Sequence, residues 1–323
     1  MVTRTYRVRT RRRPVASGAA WRARQRRFRM RRISFVLVLS LVVLLLFVVV
    51  ALPGSSSKDE DTPALLPVEA RTLPIPSNVS TMAQQPDMER VWDDAIAQDP
   101  APALAARSKV GTSGGRIALT FDDGPDRQTT PPILDELRKH DIKATFFVLG
   151  RQVKKNPDLL RRIVAEGHTI GNHTYDHADL SSLNSGQMRR ELRSTQRAVD
   201  DALGYHYPLA VMRPPYGDPY FGGSKALPVL QKVVRQERLF PVLWTQDPSD
   251  YLYDGYPQGV VKSVVRADAK GKKRAQDQVL LLHDTHRQTM EALPRIISHY
   301  ERTGRQLAGV NELLADKYAR RSD

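Results

Sequence analysis

Four side chains with the chemistry of a metal centre stand out in the sequence. Asp122 and Asp123 follow the apolar run at 117–119, and His173 and His177 lie in the segment His-Thr-Tyr-Asp-His. Two adjacent carboxylates at the end of an apolar strand are too costly to bury without a partner, so something must neutralise them or use them. One carboxylate and two imidazoles can hold a divalent metal, which leaves the second carboxylate as a base.

The neighbouring residues predict how these groups face one ion. Gly124-Pro125 predicts a tight turn after Asp123, where the alternation of a strand relaxes and one aspartate can point at a metal and the other at a water. The i,i+4 spacing of His173 and His177 predicts imidazoles on one side of a helical turn. Together they give two nitrogen ligands, one oxygen ligand and an open position, as in a catalytic zinc site. An ordinary Asp-Asp-Gly turn remains the alternative for the acidic pair.

Two further motifs carry groups suited to acyl transfer. In Arg213-Pro-Pro-Tyr216 the prolines fix the backbone, so the Tyr216 N–H can serve as an oxyanion donor. Arg213 can pair with a carboxylate and keep it ionised. His283 ends an apolar run, and an imidazole near its ordinary pKa of about 6.5 can protonate a leaving amine. A carboxylate such as Asp250 would raise that pKa.

The segment from Trp244 to Tyr251 mixes aromatic and acidic residues. Sugar rings can stack on Trp and Tyr faces while carboxylates accept hydrogen bonds from hydroxyl groups. A core tryptophan followed by two turn aspartates, Asp247 and Asp250, is the alternative. The chain has no cysteine, which excludes disulfides, thiolate zinc sites and cysteine nucleophiles. It also lacks a glycine-rich phosphate loop and a Gly-x-Ser-x-Gly elbow.

The elements that must position these motifs form an alternating pattern. From Arg116 onward, short apolar runs alternate with amphipathic segments, which predicts a mostly parallel α/β sheet with helices outside. Six or seven such units favour a barrel over an open sheet. The motifs FDDGP, NHTYDH, RPPY, DPSDY and HD all follow apolar runs. Sites of parallel sheets form at the carboxyl ends of the strands, so we expect the motifs to converge on one rim.

The N-terminal part has a different character. Residues 1–32 hold 13 Arg and no acidic residue, so the net charge of +15 leaves only +2 for the other 291 residues. Residues 33–52 carry no charge and are long enough for a transmembrane helix of about 30 Å. The positive-inside rule predicts a cytoplasmic tail and an extracytoplasmic remainder. A signal peptide cleaved near Ala51 is the alternative, although its apolar region would usually run about 7–15 residues.

The remaining organisation follows from these boundaries. The arginine tail abuts the expected membrane, so we expect it to contact anionic lipid rather than nucleic acid. Residues 53–114 are rich in Pro and Ser and read as a stalk, with a possible short helix within 87–107. Residues 115–323 would form the catalytic domain. A lipid tether with an incidental globular domain remains a rival interpretation.

The motifs in their order resemble the polysaccharide deacetylases that share the NodB homology domain, grouped as carbohydrate esterase family 4. The resemblance rests on TFDDGP, HTYDH and RPPY, and it covers about residues 115–320. It implies a distorted (β/α) barrel of NodB type and a divalent metal, most simply Zn²⁺, with Co²⁺ or Ni²⁺ as alternatives. It also implies removal of acetyl groups from N-acetylated sugars, usually N-acetylglucosamine.

The resemblance also implies roles for the first two motifs. Asp122 would be the general base, oriented by Arg213. The metal ligands would be Asp123, His173 and His177.

For the later motifs, the resemblance implies that the Tyr216 N–H binds the substrate oxygen. His283 would be the general acid, paired with Asp250, and Leu281 would line the acetyl pocket. Where the family usually has Asp-Trp, this chain has Asp250-Tyr251. Tyr251 would therefore form a smaller aromatic wall of the substrate groove.

With an outward-facing domain, the expected substrate is the glycan of cell-wall peptidoglycan. Chitooligosaccharides, a biofilm polysaccharide or the O-acetyl groups of sugars are alternatives with similar chemistry. An inactive, membrane-held glycan-binding module is the alternative from another class.

Overall fold

The computed structural model describes residues 86–99, 101–102, 115–221, 225–272 and 277–319, all within the unit that spans residues 75–323. The expected tail, membrane span and most of the stalk lie outside the described residues. Among the helices of the described residues, none is long and apolar enough to cross a bilayer.

Six parallel strands form one sheet in the order β5-β4-β3-β2-β1-β6. The strands are β1 (Ile117–Asp122), β2 (Thr145–Val148), β3 (Thr169–Asn172), β4 (Val211–Met212), β5 (Phe240–Pro241) and β6 (Gln278–His283). An isolated parallel bridge joins Gln246, just after β5, to Leu280 in β6. The sheet is therefore curled into a half-barrel whose two edge regions meet through this bridge.

Helices cover the sheet where amphipathic segments predict them. They are α1 (Met88–Gln98), α2 (Thr130–Lys139), α3 (Gly150–Lys155), α4 (Pro157–Ala165), α5 (Ser185–Leu203), α6 (Leu227–Gln236), α7 (Pro257–Lys272), α8 (Arg287–Arg302) and α9 (Val310–Ala319). The clearest boundaries belong to α5, where Asn184 and Gln187 form a capping box and Gly204 ends the helix in a left-handed conformation. The C-terminal helical segment splits in two, because the chain turns at Gly304 (φ 68°).

Alternation along the strands separates structural from chemical residues. In β1, Ile117, Leu119 and Phe121 join the large core that lies between the sheet and its helices. Ala118 instead joins a second core, together with Phe147 of β2 and other side chains of the concave face. Because side chains alternate along a strand, the concave face of β1 continues from Ala118 through Thr120 to Asp122 at the rim.

The second core also contains a helix from outside the expected domain. Trp92 of α1 packs edge-on against Phe240, with ring centroids 4.7 Å apart, and Phe240 stacks on Tyr318 of α9. Val91, Trp92 and Ala95 are buried in this cluster. The packed unit therefore reaches back to α1, a segment that the sequence pattern placed with the stalk because its apolar face is short.

Candidate active site

Three side chains converge at the carboxyl end of the sheet. The Oδ1 of Asp123 lies 3.4 Å from the Nε2 of His173 and 3.3 Å from the Nε2 of His177. The three ligand atoms lie within 4.8 Å of one another. Ligands about 2.1 Å from a tetrahedral zinc ion are separated by about 3.4 Å, so this spacing suits a divalent ion. Asp123 Oδ1 is buried and has no hydrogen-bond partner among the described residues, as expected of an oxygen that serves as a metal ligand.

Strained loops, rather than a helical turn, bring these ligands together. Asp123 (φ 79°), Thr174 (φ 69°) and His177 (φ 68°) all adopt left-handed conformations that are uncommon for residues other than glycine. The segment 173–177 contains no helix. The prediction that i,i+4 spacing on a helical turn pairs the imidazoles is therefore wrong, although the imidazoles do meet. The turn predicted after Asp123 is present and rotates this carboxylate away from strand alternation.

Buried polar contacts hold the histidine loop in this conformation. The Asn172 side chain accepts a hydrogen bond from the Thr174 N–H at 2.9 Å and donates one to the Leu192 carbonyl. Glu191 of α5 accepts from the N–H groups of Tyr175 and Asp176. These bonds satisfy the backbone groups that the loop exposes, and they offset part of its strain.

The other ring nitrogen of each histidine has a partner that fixes the ring. His173 Nδ1 lies 2.8 Å from the Arg213 carbonyl oxygen, which can only accept, so Nδ1 carries the proton and Nε2 presents a lone pair. His177 Nδ1 lies 3.0 Å from the Tyr216 hydroxyl. Such outer contacts orient metal ligands and raise their affinity.

Electrostatics in the cluster favour a charged Asp123. Burial would raise its pKa, but the imidazoles of His177, His173 and His283 outweigh burial and hold the pKa well below the ordinary value. Burial lowers the pKa of His177 to about 4, so this imidazole is neutral near pH 7 and available as a ligand. Burial also disfavours charge on His173, but Asp122 and Asp123 reverse the effect and raise its pKa.

Asp122 is held by a buried arginine inside the half-barrel. Its Oδ1 lies 2.7 Å from Arg213 Nη1, and both side chains are almost completely buried. Arg213 also donates to Thr120 Oγ1 and to the Val242 carbonyl, and its guanidinium lies 4.1 Å from the centre of the Phe147 ring. This ion pair fixes the position of the Asp122 carboxylate, as a general base requires.

His283, the last residue of β6, pairs with the carboxylate of Asp250. In the β1–β6 register His283 is opposite Asp122. His283 Nδ1 lies 2.7 Å from Asp250 Oδ1, and Asp250 Oδ2 accepts from the His283 N–H and from Thr289 Oγ1. Burial disfavours a charged imidazole, but Asp250 outweighs it and raises the pKa of His283 to about 10. His283 is therefore protonated near pH 7 and can donate a proton.

The remaining predicted residues surround this rim at different depths. Tyr216 adopts a left-handed backbone conformation (φ 63°), and its side chain is half-buried beside His177. Tyr251 packs edge-on against His283, with ring centroids 5.7 Å apart. Leu281 is buried in β6, two positions before His283 and hence on the same face. Trp244 is half-buried and packs edge-on against Phe221. It is therefore neither fully in the core nor fully exposed in a groove.

The sequence assigns no role to two further contributors, Thr289 and Asp284, although Asp284 belongs to the HD motif. Thr289 supports Asp250, but a lone threonine in an amphipathic helix suggests no such role. Asp284 is buried and lies against Gly124, where an added Cβ would sit 2.1 Å from its Oδ2. Burial raises the pKa of Asp284 to about 7, and Thr130 Oγ1 donates to its carboxyl group at 2.6 Å. Gly124 is thus required by close packing against Asp284.

Comparisons with known proteins agree with this geometry. Residues 109–232 match the family described as polysaccharide deacetylase. The peptidoglycan-N-acetylglucosamine deacetylase PgdA of Listeria monocytogenes is 36% identical over 203 residues, which cover 62% of this chain and 39% of that protein. The chain thus spans about two fifths of the length of this relative.

Two further relatives are matched over nearly their whole lengths. A chitooligosaccharide deacetylase of Bradyrhizobium sp. is 34% identical over 232 residues, which cover 66% of this chain and 97% of that protein. The solved structure of the peptidoglycan deacetylase PdaC from Bacillus subtilis has a TM-score of 0.53 and 33% identity, and the likeness covers 64% of this chain and 93% of that one. By the extent of these matches, together with the motifs at the rim, the chain belongs to the polysaccharide deacetylase family.

Proposed function

We propose that the protein is a metal-dependent hydrolase that removes N-acetyl groups from N-acetylglucosamine units of a cell-wall polysaccharide, namely peptidoglycan. One observation carries the proposal. A three-ligand site, an arginine-held carboxylate and a carboxylate-held imidazole share one rim of the half-barrel. Amide hydrolysis needs all three: a metal site that activates water, a general base, and a general acid that protonates the leaving amine.

We assign the metal site to Asp123, His173 and His177, with zinc as the ion that best suits two imidazoles, one carboxylate and tetrahedral spacing. Cobalt or nickel would also accept this donor set. A bound divalent ion supplies Lewis acidity toward the acetamide carbonyl and lowers the pKa of water.

Different side chains of the protein carry out the proton transfers. Asp122 accepts the proton of the attacking water, and Arg213 holds this carboxylate in place. The Tyr216 N–H donates to the oxygen that becomes negative as the carbonyl is attacked. Protonated His283 gives its proton to the amine of the departing sugar, and Asp250 holds the imidazole in the donating tautomer.

The choice of polymer rests on the relatives and on the N-terminal sequence. Two of the similar proteins are named as peptidoglycan deacetylases. We propose that residues 33–52 anchor the chain in the cell membrane with the catalytic domain outside. The segment between the proposed anchor and α1, residues 53–87, has about 35 residues and would reach about 30–110 Å, depending on stiffness. Membrane fractionation that resists an alkaline wash, together with protease access to the domain in whole cells, tests the placement.

The reaction is tested with the purified full-length chain in detergent. The expected result is one acetyl group lost per modified sugar by mass spectrometry, and abolition of the reaction by a chelator followed by recovery with zinc. His283→Gln should keep stoichiometric zinc while losing turnover. Glycan binding without acetate release under any metal would instead indicate the inactive binding module.

A further inference from the structure

A patch of unpaired positive charge lies beside the metal loops. The short helix α3 carries Arg151, Lys154 and Lys155, all exposed, and its buried side is formed by Gly150 and Val153. Residues at i, i+3 and i+4 share one face of a helix, so the three cations form one surface. We call these three residues the α3 basic patch. None of them lies within 4 Å of a carboxylate of the described residues.

The fold places this patch at the rim of the active site. α3 begins directly after β2, whose neighbours in the sheet carry Asp122 and His173. The Gly150 N–H donates to the Thr174 carbonyl at 3.1 Å, and the Arg151 N–H donates to the Tyr175 carbonyl at 3.0 Å. Arg151 is thus hydrogen bonded through its backbone to the loop that carries both histidine ligands.

The nearby acidic residues form no ion pair with the patch. Asp176, the one exposed carboxylate of the histidine loop, lies beside Glu191, and neither is paired with a cation of the α3 basic patch among the described residues. Asp158, the first acidic residue after α3, forms a 2.7 Å ion pair with Arg127. α3 itself contains no acidic residue. The cations of the patch are therefore available to a ligand that reaches the rim.

The charge bears on which polymer the site prefers. A chitin-type oligomer is neutral, whereas peptidoglycan carries carboxylates on its peptide stems, and on its lactyl groups where no stem is attached. Cations beside a catalytic cleft attract an anionic chain and hold it by exposed ion pairs. We propose that the α3 basic patch is a binding subsite for the carboxylates of an anionic glycan and makes the enzyme prefer peptidoglycan over neutral N-acetylglucosamine polymers. This inference rests on the proposed deacetylase function.

The test compares three substrates with the full-length, zinc-loaded chain. They are a neutral N-acetylglucosamine oligomer, peptidoglycan strands with intact stem carboxylates, and the same strands after amidation of those carboxylates. We expect kcat/KM to be higher for the intact strands than for the amidated ones, mainly through KM. The ratio of the two should fall as sodium chloride rises from 20 to 300 mM, because added salt screens exposed charge.

Substitution then assigns the effect to the patch. Arg151→Gln should lower the intact-to-amidated ratio by about two- to fivefold, and the triple change with Lys154→Gln and Lys155→Gln by about tenfold. Arg266→Gln, an exposed arginine in the second half of α7, is the matched control and should leave the ratio unchanged. A triple variant with the wild-type ratio would overturn the inference. Acetate release from none of the substrates would overturn the proposed function instead, so the two failures differ.

Discussion

Replacing Asp250 with asparagine should move the alkaline limit of the reaction by several pH units. In the wild-type protein the pKa of His283 is raised to about 10, since Asp250 holds the ring at 2.7 Å and outweighs burial. A general acid must be protonated, so wild-type activity persists up to about pH 10 and falls above it. Without the charge of Asp250, burial still lowers the pKa of His283 and the carboxylates of Asp123 and Asp122 still raise it, so it should fall to about the ordinary value of 6.5.

The size of the effect follows from these two pKa values. At pH 8.5 nearly all of the wild-type His283 carries its proton, but only about one part in a hundred does so with a pKa of about 6.5. The Asp250→Asn variant should therefore lose about a hundredfold in kcat/KM at pH 8.5. At pH 6 most of the variant's His283 is still protonated, so the loss from protonation should be less than twofold.

The assay is kcat/KM for acetate release between pH 5 and 11, with thermal unfolding measured in parallel. Parallel unfolding data are needed because Asp250 Oδ2 also accepts from the His283 N–H and from Thr289 Oγ1. An asparagine amide would place a donor against one of these donors, at a cost of about 1–3 kcal/mol. Asp268→Asn is the control, because Asp268 is a buried carboxylate paired with His299 between α7 and α8, away from the rim. An alkaline limit in Asp250→Asn within one pH unit of the wild type would refute the assignment of His283 as the acid.

Three further results are expected. Asp122→Asn should lower kcat by about 10²–10⁴ while calorimetry still shows one zinc per chain, and loss of zinc would instead make Asp122 a ligand. Zinc removal by a chelator should lower the melting temperature, because the ion would neutralise the buried, unpartnered oxygen of Asp123; an unchanged melting temperature would argue against a built metal site. Gly171→Ala should cost about 1–3 kcal/mol in denaturant unfolding, since the new Cβ would lie 2.4 Å from Phe147, whereas Gly186→Ala meets nothing closer than 3.4 Å and should be neutral.

The strands were predictable where burial leaves a continuous apolar run. β1 and β6 are buried along nearly their whole lengths, and their sequences show it. β4 and β5 have only two residues each, so their apolar runs mostly continue into irregular structure. The helix α1 was harder to place, because the surface that buries Trp92 is built from strands far along the chain.

The residue types of the site were predictable, but their geometry was not. Acidic and imidazole groups at strand ends indicate a functional site, whatever conformation the loop adopts. Asn172 bonds to the N–H of Thr174, which has a left-handed conformation, and Glu191 bonds to the next two N–H groups, so contacts of the folded structure hold the loop. A spacing of four residues suggested a helical turn, and tertiary hydrogen bonds imposed a loop instead.

Two histidines with opposite roles show why the sequence alone does not establish a mechanism. His177 and His283 have the same side chain at the same rim, yet the pKa of the first is lowered to about 4 and that of the second is raised to about 10. Burial acts on both in the same direction. The difference comes mainly from Asp250, which lies against His283 and acts together with Asp123 and Asp122. At His177 the effect of Asp123 is opposed by the charges of His173, His283 and Arg151. A neutral imidazole can bind a metal and a charged one can donate a proton, so the placement of one buried carboxylate separates ligand from acid.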